Sequence, residues 1–391
     1  MRTSIYRVAA AALLAFGCVS QRGWSRDPVT VGAIRWDAWH TPVSAAEHGG
    51  AGGPVKAVEA SLNPRRYRWR APFFARVGTN DTLRIDGYTQ EIVDREIAYA
   101  KAGGIDYWAF LLYAEDNCMS QGLALYLSSK RRADVNFCAV ASPSTFGGRA
   151  TWEAGFSRIV RYMKEPGYQT VCGGRPLLYF FRPDEGWVKA WGGPDGARRL
   201  LDGLRAAAQS AGLKTPYVVV MDDGAADRVW RTAELFGAEA ISDYARQANA
   251  AGAPYTELAG VARAFWEACA GTGAQVVPLA MAGWDRRPRV ERPVPWETKW
   301  QKPGAGLDKF YALPAPGELA AHIGEALAWA EARPQQCPAQ TVIVYAWNEH
   351  DEGGWLCPTL GDGGRPDDSR LRAIAEMRMK RAADWRRERA R

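Results

Sequence analysis

The sequence is poor in the residues and motifs that bind metals and nucleotides. It has four histidines among 391 residues, and its seven cysteines show no C-x-x-C spacing. Zinc sites usually draw on closely spaced cysteine and histidine ligands. The patterns G-x-G-x-x-G and G-x-x-x-x-G-K-[ST], which mark dinucleotide and nucleoside triphosphate sites, are also absent. The sequence therefore predicts no metal centre and no cofactor.

Long apolar segments are missing after the first 20 residues, and no later segment approaches the ~20 apolar residues of a membrane-spanning helix. Residues 1–20 have the pattern of an export signal, in which Arg2 and Arg7 precede the apolar run Val8–Gly17. Gly17-Cys18 resembles a lipoprotein cleavage site, so lipid anchoring at Cys18 and simple cleavage are both open. We expect an exported domain over residues 28–391 that is periplasmic, extracellular or lipid-anchored at the cell surface.

The positive charge lies at the two ends of the chain. The formal net charge is +7, of which Arg2 and Arg7 supply two; residues 365–391 hold ten Lys or Arg against five Asp or Glu. The remaining residues, 8–364, are therefore neutral overall. A basic terminal helix is usually a solvated face, so we expect no nucleic-acid partner. An anionic polysaccharide remains compatible with this charge.

Short β-branched or aromatic runs alternate with longer segments of helical period, which is the pattern of a parallel sheet with crossover helices. The predicted helices include Tyr88–Ala102, Trp152–Lys164, Tyr255–Ala270 and Gly317–Ala332. The eight predicted strands are Thr30–Trp39, Ile105–Tyr113, Val135–Ala141, Pro176–Phe181, Tyr217–Met221, Ala238–Ser242, Gln275–Ala282 and Thr341–Trp347.

Eight β/α units favour a closed barrel over an open doubly wound sheet, because the latter usually carries a nucleotide-binding motif. The sequence thus predicts an α/β protein with a (β/α)8 TIM barrel in a single catalytic domain. Residues 40–87 are too many for a simple connection and are rich in Gly, Pro and Arg. We expect them to form an elaborated first βα loop on the catalytic face of the barrel.

The densest polar cluster follows the eighth predicted strand, where barrel enzymes carry catalytic groups. Here Glu349 and Glu352 are three residues apart, so a helical turn places both carboxyls on one side. Retaining glycosidases use two carboxyl groups roughly 5–5.5 Å apart. The alternative is a helix N-terminus, where carboxylates interact with free amides. Because Trp347, Asn348 and Asp351 crowd the same turn, we favour a catalytic pair.

Aromatic and polar residues also follow other predicted strands, and 17 tryptophans suit carbohydrate stacking. Each group has a structural alternative: packing beneath the long first loop, a salt-bridged surface turn, or a helix N-cap. The predicted substrate-binding residues are Trp36, Asp37, Trp39 and His40 after the first strand, Tyr113 after the second, Asp243 and Tyr244 after the sixth, Trp284, Asp285 and Arg289 after the seventh, and Trp347, Asn348, His350 and Asp351 after the eighth.

Four segments resemble the glycoside hydrolase family 99-like, or WbsX-like, proteins. That family has an aromatic-rich first turn, a G-I-D-x-[FW] second strand, a G-W-D-x-x-P-R turn and a late W-N-E-x-x-E-G strand end. The matching segments here are Val31–His40, Gly104–Trp108, Gly283–Arg289 and Trp347–Gly353.

The resemblance implies a (β/α)8 barrel that cleaves α-mannosidic linkages with retention. It also implies that Glu349 deprotonates the sugar 2-hydroxyl, which gives a 1,2-anhydro intermediate, and that Glu352 is the general acid/base. Such an acid must hold its proton near neutral pH. The sequence departs from the family at two positions: His350 stands where an aromatic residue is common, and Cys357 stands where an acidic residue is common. We therefore expect a glycoside hydrolase but do not assign the sugar that it recognises.

Two other functions fit the same residues. Some WbsX-like proteins are associated with glycosyl transfer in polysaccharide biosynthesis, but export argues against a cytoplasmic nucleotide-sugar donor. A carbohydrate-binding barrel without catalysis is the second alternative, and the presence of both Glu349 and Glu352 argues against it.

Overall fold

The computed structural model describes residues 29–40, 53–361 and 365–389. Its main sheet contains nine parallel segments in the order β7-β6-β5-β4-β3-β2-β1-β9-β8. Thr170–Val171 adds a short antiparallel strand beside β4. The nine segments are β1 (Thr30–Arg35), β2 (Tyr107–Leu111), β3 (Asn136–Ala141), β4 (Arg175–Phe181), β5 (Tyr217–Met221), β6 (Ala240–Ser242), β7 (Gln275–Val276), β8 (Leu279–Met281) and β9 (Thr341–Tyr345).

The two ends of this order are consecutive in the chain, because only Val277 and Pro278 separate β7 from β8. The Val277 amide donates to the carbonyl of Ile241 at 3.0 Å, and the Pro278 carbonyl accepts from the Ile343 amide at 3.0 Å. Proline has no amide proton, which explains why the single strand predicted over Gln275–Ala282 is interrupted here. The parallel strands thus form a curled sheet with surrounding helices, an α/β fold of the TIM-barrel kind.

Helices alternate with the sheet strands and cover their outer faces. The shorter 3-10 turns are Arg65–Arg70, Cys118–Ser120, Arg132–Asp134, Arg149–Thr151, Pro295–Glu297 and His350–Glu352. The α-helices are Gly53–Leu62, Gln90–Ala102, Gln121–Ser128, Pro143–Phe146, Trp152–Met163, Glu185–Ala190, Pro194–Ser210, Ala226–Phe236, Tyr255–Gly271, Arg287–Glu291, Pro316–Ala332 and Ser369–Arg389.

The inner face of the sheet is packed with large side chains. Gly32 in β1 leaves room for the ring of Tyr107, since a Cβ at that position would lie 2.1 Å from the ring. The Tyr107 hydroxyl is 2.8 Å from that of Tyr179 and 2.9 Å from Thr341 Oγ1. These buried hydroxyls satisfy one another, so the inside of the sheet is a packed core rather than a channel.

The long connection after β1 lies at the carboxyl ends of the strands. Its described part contains the helix Gly53–Leu62, the turn Arg65–Arg70 and the small hairpin Arg76–Val77 with Leu83–Arg84. Ser61 Oγ donates to Asp351 at 3.0 Å, which joins this connection to the loop after β9. Residues 41–52 lie outside the described part of the chain.

The predicted export signal at residues 1–20, with Cys18, also lies outside the described residues. Among the helices that are described, none is long and apolar enough to cross a membrane.

Candidate active site

Two loops carry the central polar cluster, one after β8 and one after β9. After β9, Asn348–Glu349 pairs in antiparallel fashion with Gly354–Trp355, and the 3-10 turn His350–Glu352 lies between these two short strands. This turn places Glu349 at its start and Glu352 at its end. The Asp285 amide after β8 donates to the carbonyl of Glu352 at 2.7 Å, which holds the two loops together.

Close backbone contact between these loops requires glycine at Gly283 and Gly353. Gly353 has φ +87°, and a Cβ there would lie 2.4 Å from the Asp285 amide nitrogen. A Cβ at Gly283 would lie 2.2 Å from the Gly353 carbonyl oxygen. The G-W-D and E-G-G-W segments of the sequence are therefore two halves of one structural unit.

Substituting Gly353 by Ala should destabilise the protein by more than the cost of placing alanine at a positive φ. A left-handed conformation costs an L-residue about 1–2 kcal/mol, and forced overpacking adds about 1–3 kcal/mol. Gly273→Ala is the matched control, because Gly273 has φ +83° and nothing within 4 Å of its Cβ position. Thermal unfolding should rank Gly353→Ala well below Gly273→Ala; equal melting temperatures would show that the two loops are not in close contact.

Arg289 is the centre of the cluster and contacts four carboxylates. Its Nε donates to Asp351 at 2.7 Å, and its Nη2 donates to Glu349 at 3.2 Å. Its Nη1 donates to Glu352 and, at 3.2 Å, to Glu297. The Arg289 side chain is 4% exposed. Because Glu349 and Glu352 reach the same guanidinium, their carboxyl groups share one small space.

Arg286 supplies the second cation of the cluster. Its Nε donates to Glu352 at 3.1 Å and its Nη2 donates to Glu297. Glu352 therefore contacts two guanidinium groups, whereas Glu349 contacts Arg289 alone. The environment of the two glutamates is electrostatically unequal.

This inequality separates the pKa values of the pair. Burial and the neighbouring Glu352 charge raise the pKa of Glu349 to about 8. Burial acts on Glu352 in the same direction, but Arg289 and Arg286 outweigh it and its pKa lies below the ordinary value. At neutral pH the pair thus holds one proton and one negative charge.

Two tyrosines complete the surroundings of the pair. Tyr244 Oη donates to Glu349 Oε1 at 2.9 Å, and Tyr345 Oη donates to Glu352. The Tyr345 ring lies 5.7 Å from that of Tyr244 and 5.6 Å from that of Trp284. Burial raises the pKa of both tyrosines, so both hydroxyls remain donors at neutral pH.

The two carboxylates are almost enclosed, since 5% of the Glu349 side chain and 11% of the Glu352 side chain are exposed. Partly buried aromatic residues surround them. Trp36 Nε1 donates to the Tyr113 hydroxyl at 2.8 Å. Of the predicted binding residues beside the pair, Tyr113, Tyr244 and Trp284 have part of their surface accessible, whereas Trp36 is buried.

Other predicted residues lie beneath the pair in a buried ionic network. Asp37 accepts from Arg35 Nε at 2.7 Å and lies 3.1 Å from His40 Nδ1. His40 Nε2 is 2.8 Å from Glu96, which also accepts from Trp347 Nε1 at 2.9 Å. These side chains are almost fully enclosed and fix the backbone that carries the turn His350–Glu352.

Asn348, Trp39 and His350 are also fully buried. The Asn348 amide group exchanges two hydrogen bonds with the Trp36 backbone, at 2.8 and 2.6 Å, and so ties the end of β9 to the end of β1. His350 packs edge-on against Trp39 and is stacked on Trp355. Burial lowers the pKa of His350 to about 3, so it is neutral.

Acidic residues predicted to bind sugar hydroxyls are already paired with arginines. Asp285 is held by Arg70 and by Arg287 Nη2 at 2.7 Å. Asp351 is held by Arg289. Asp243 pairs with Arg246, and burial raises the pKa of Asp243 to about 7.

Arg70, Glu96, Glu297 and Tyr345 belong to the site but were not predicted from the sequence. Tyr345 could have been predicted from the strand pattern. Residues an even number apart in a strand share a face, and Tyr345 is four residues after Thr341, which also points inward. Arg70, Glu96 and Glu297 lie outside the recognised motifs. Among the described residues, no group of His, Cys, Asp and Glu is arranged to hold a metal ion.

Solved structures similar to this chain include a glycoside hydrolase family 99 endo-α-mannosidase from Bacteroides thetaiotaomicron, with a TM-score of 0.55 and 14% sequence identity. The match covers 92% of this chain and 98% of that one. A second structure, of the family 99 endo-α-mannosidase in complex with BIS-TRIS-propane, has a TM-score of 0.51 and 14% identity, over 90% and 98% of the two chains. No protein-family model and no curated protein matches the sequence. The chain thus has a fold like that of glycoside hydrolase family 99.

Proposed function

We propose that the protein is a glycoside hydrolase that acts on a poly- or oligosaccharide through Glu349 and Glu352. The observation that carries this proposal is the pair itself: two buried carboxyls on one guanidinium, one with a raised and one with a lowered pKa. Glycoside cleavage needs such a pair, because one carboxyl protonates the leaving oxygen while the other acts as a base. The family 99-like fold and the four sequence motifs support the same reaction.

The proposed reaction proceeds with retention through the neighbouring 2-hydroxyl. Glu349 takes the 2-hydroxyl proton, the resulting oxygen attacks the anomeric carbon, and Glu352 protonates the departing glycosidic oxygen. Water then opens the 1,2-anhydro sugar as Glu352 takes a proton from it and Glu349 returns one to the 2-oxygen. Trp36, Tyr113, Tyr244 and Trp284 are proposed to contact the sugar.

The charge distribution of the free protein constrains this division of roles. With Arg286 and Arg289 both on Glu352, the proton lies on Glu349, the reverse of what the resemblance requires. We infer that substrate binding transfers this proton from Glu349 to Glu352. Arg289 donates to both carboxyls and so holds them near each other.

The activity should have a bell-shaped pH dependence. Above about pH 8 the pair loses the proton held on Glu349, and no acid remains. Below the lowered pKa of Glu352, which lies under its ordinary 4.5, both carboxyls are protonated and no base remains. The pH profile of kcat/KM reports the free protein, so its alkaline limb should fall near pH 8 and its acid limb below 4.5. A profile flat through pH 9 would contradict a shared proton.

We propose that the curled sheet is a complete (β/α)8 barrel, supported by the chain continuity between β7 and β8. The protein is a WbsX-like domain over residues 28–391, exported by residues 1–20 and lipid-anchored at Cys18 or simply cleaved.

Release of reducing ends from α-linked and sulfated polysaccharides tests the proposed hydrolase activity.

A further inference from the structure

Two exposed tryptophans lie on one segment beside the catalytic pair. The segment follows the helix Arg287–Glu291 and carries Trp296, which is 42% exposed, and Trp300, which is 61% exposed. Large apolar side chains on a solvent-exposed surface leave much apolar area in water, which is unfavourable unless a ligand covers it.

The segment is fastened to the catalytic cluster by the residue that lies between the two tryptophans. The Glu297 side chain is 6% exposed and contacts Arg286 and, at 3.2 Å, Arg289. The Trp300 amide donates to the Glu297 carbonyl at 3.0 Å. The indoles are therefore held in place relative to Glu349 and Glu352 rather than carried on an unattached loop.

Each indole also contacts a residue of the cluster. The Trp296 ring lies 5.5 Å from that of Trp36 and 5.9 Å from the Arg289 Cζ. The Trp300 ring lies 5.1 Å from the Arg286 Cζ. Since Arg286 and Arg289 both bind Glu352, each indole is separated from the catalytic pair by a single guanidinium.

We propose that Trp296 and Trp300 form an aromatic platform that binds sugar residues next to the one being cleaved. Indole rings offer flat apolar surfaces with a polar edge, which suit the C–H face of a pyranose ring. Because each indole contacts a guanidinium that lies next to the pair, the platform would hold further sugars of the chain that is being cleaved. This inference rests on the proposed function, because it takes Glu349 and Glu352 as the point of cleavage.

Binding is tested with Glu352→Gln as the background, so that no substrate is consumed. Affinity electrophoresis of the full chain in gels containing soluble α-mannan or dextran sulfate should show retardation by at least one of them. Adding Trp296→Ala or Trp300→Ala should weaken that retardation about tenfold. Trp385→Ala is the matched control, since Trp385 is 43% exposed but lies on the terminal helix Ser369–Arg389. This control should bind like the background protein.

Kinetics separate the platform from the catalytic pair. Trp296→Ala and Trp300→Ala should lower kcat/KM for the retained polysaccharide about tenfold, and should lower kcat/KM for a single-sugar aryl α-glycoside by a much smaller factor. If the wild-type protein hydrolysed neither substrate, the proposed function would be wrong. Retardation that depends on the two tryptophans would in that case still support sugar binding by the platform. Retardation by neither polysaccharide, or an equal loss in Trp385→Ala, would overturn it.

Discussion

Replacing Glu349 or Glu352 by Gln is expected to lower kcat/KM for the polysaccharide substrate by about 100- to 10,000-fold, the usual contribution of a general acid or base. Glutamine keeps the size of the side chain but can neither hold nor accept the proton that the pair shares. The double variant should be hardly worse than either single one, because groups that act as a unit are not additive. Rates of sugar release from the three purified proteins measure this.

Glu115→Gln is the matched control for these variants. Glu115 follows β2 at the same end of the sheet, is more than half exposed, and pairs with Arg161 instead of the cluster. Its loss should leave the rate unchanged. An aryl glycoside with a good leaving group should restore activity to Glu352→Gln but not to Glu349→Gln, since only the acid becomes dispensable. A near-wild-type rate in either glutamine variant on the polysaccharide would reject the pair.

Replacing Arg289 by Met is expected to destabilise the protein by about 3–5 kcal/mol at pH 7, the usual result of removing one partner from a buried ionic contact. Glu297 and Glu352 then retain Arg286, while Glu349 and Asp351 lose the guanidinium that they contact. Chemical denaturation at pH 7 and pH 5 measures the free energy of unfolding.

The loss should be smaller at pH 5 than at pH 7. Arg289 holds the pKa of Glu352 below its ordinary value. Without Arg289 that folded-state pKa should rise, so the folded protein takes up a proton more readily and recovers stability as the pH falls. Arg287→Met is the control, because Asp285 retains Arg70 as a partner. A stability loss that is equal in both variants, or that grows at low pH, would show that Arg289 does not neutralise the cluster.

The order of strands and helices could be predicted because each strand is a short apolar run bounded by helical segments. The run Thr341–Trp347 contains β9 at Thr341–Tyr345, and Tyr217–Met221 coincides with β5. The prediction was wrong about the continuity of the seventh strand, although Pro278 gave a signal. Proline within a central strand argues against uninterrupted pairing.

The proximity of Glu349, Asp351, Glu352 and Arg289 could be predicted in part, because they lie in two motifs that follow neighbouring strands. Their electrostatics could not. The proton of the pair depends on Arg286 and Arg289 contacting Glu352 together, and spacing along the chain does not fix that geometry. Glu96 likewise reaches His40 and Trp347 from a separate helix, so the buried role of those two residues depends on tertiary packing.

The most direct test of the proposed catalytic pair is the ¹H NMR signal of the sugar released from α-linked polysaccharide in the first minutes of reaction. The wild-type protein should release a reducing sugar whose α-anomer appears first and then mutarotates, while the Glu349→Gln, Glu352→Gln double variant releases none. Sugar released at the same rate by both proteins, or by neither, would contradict hydrolysis by Glu349 and Glu352.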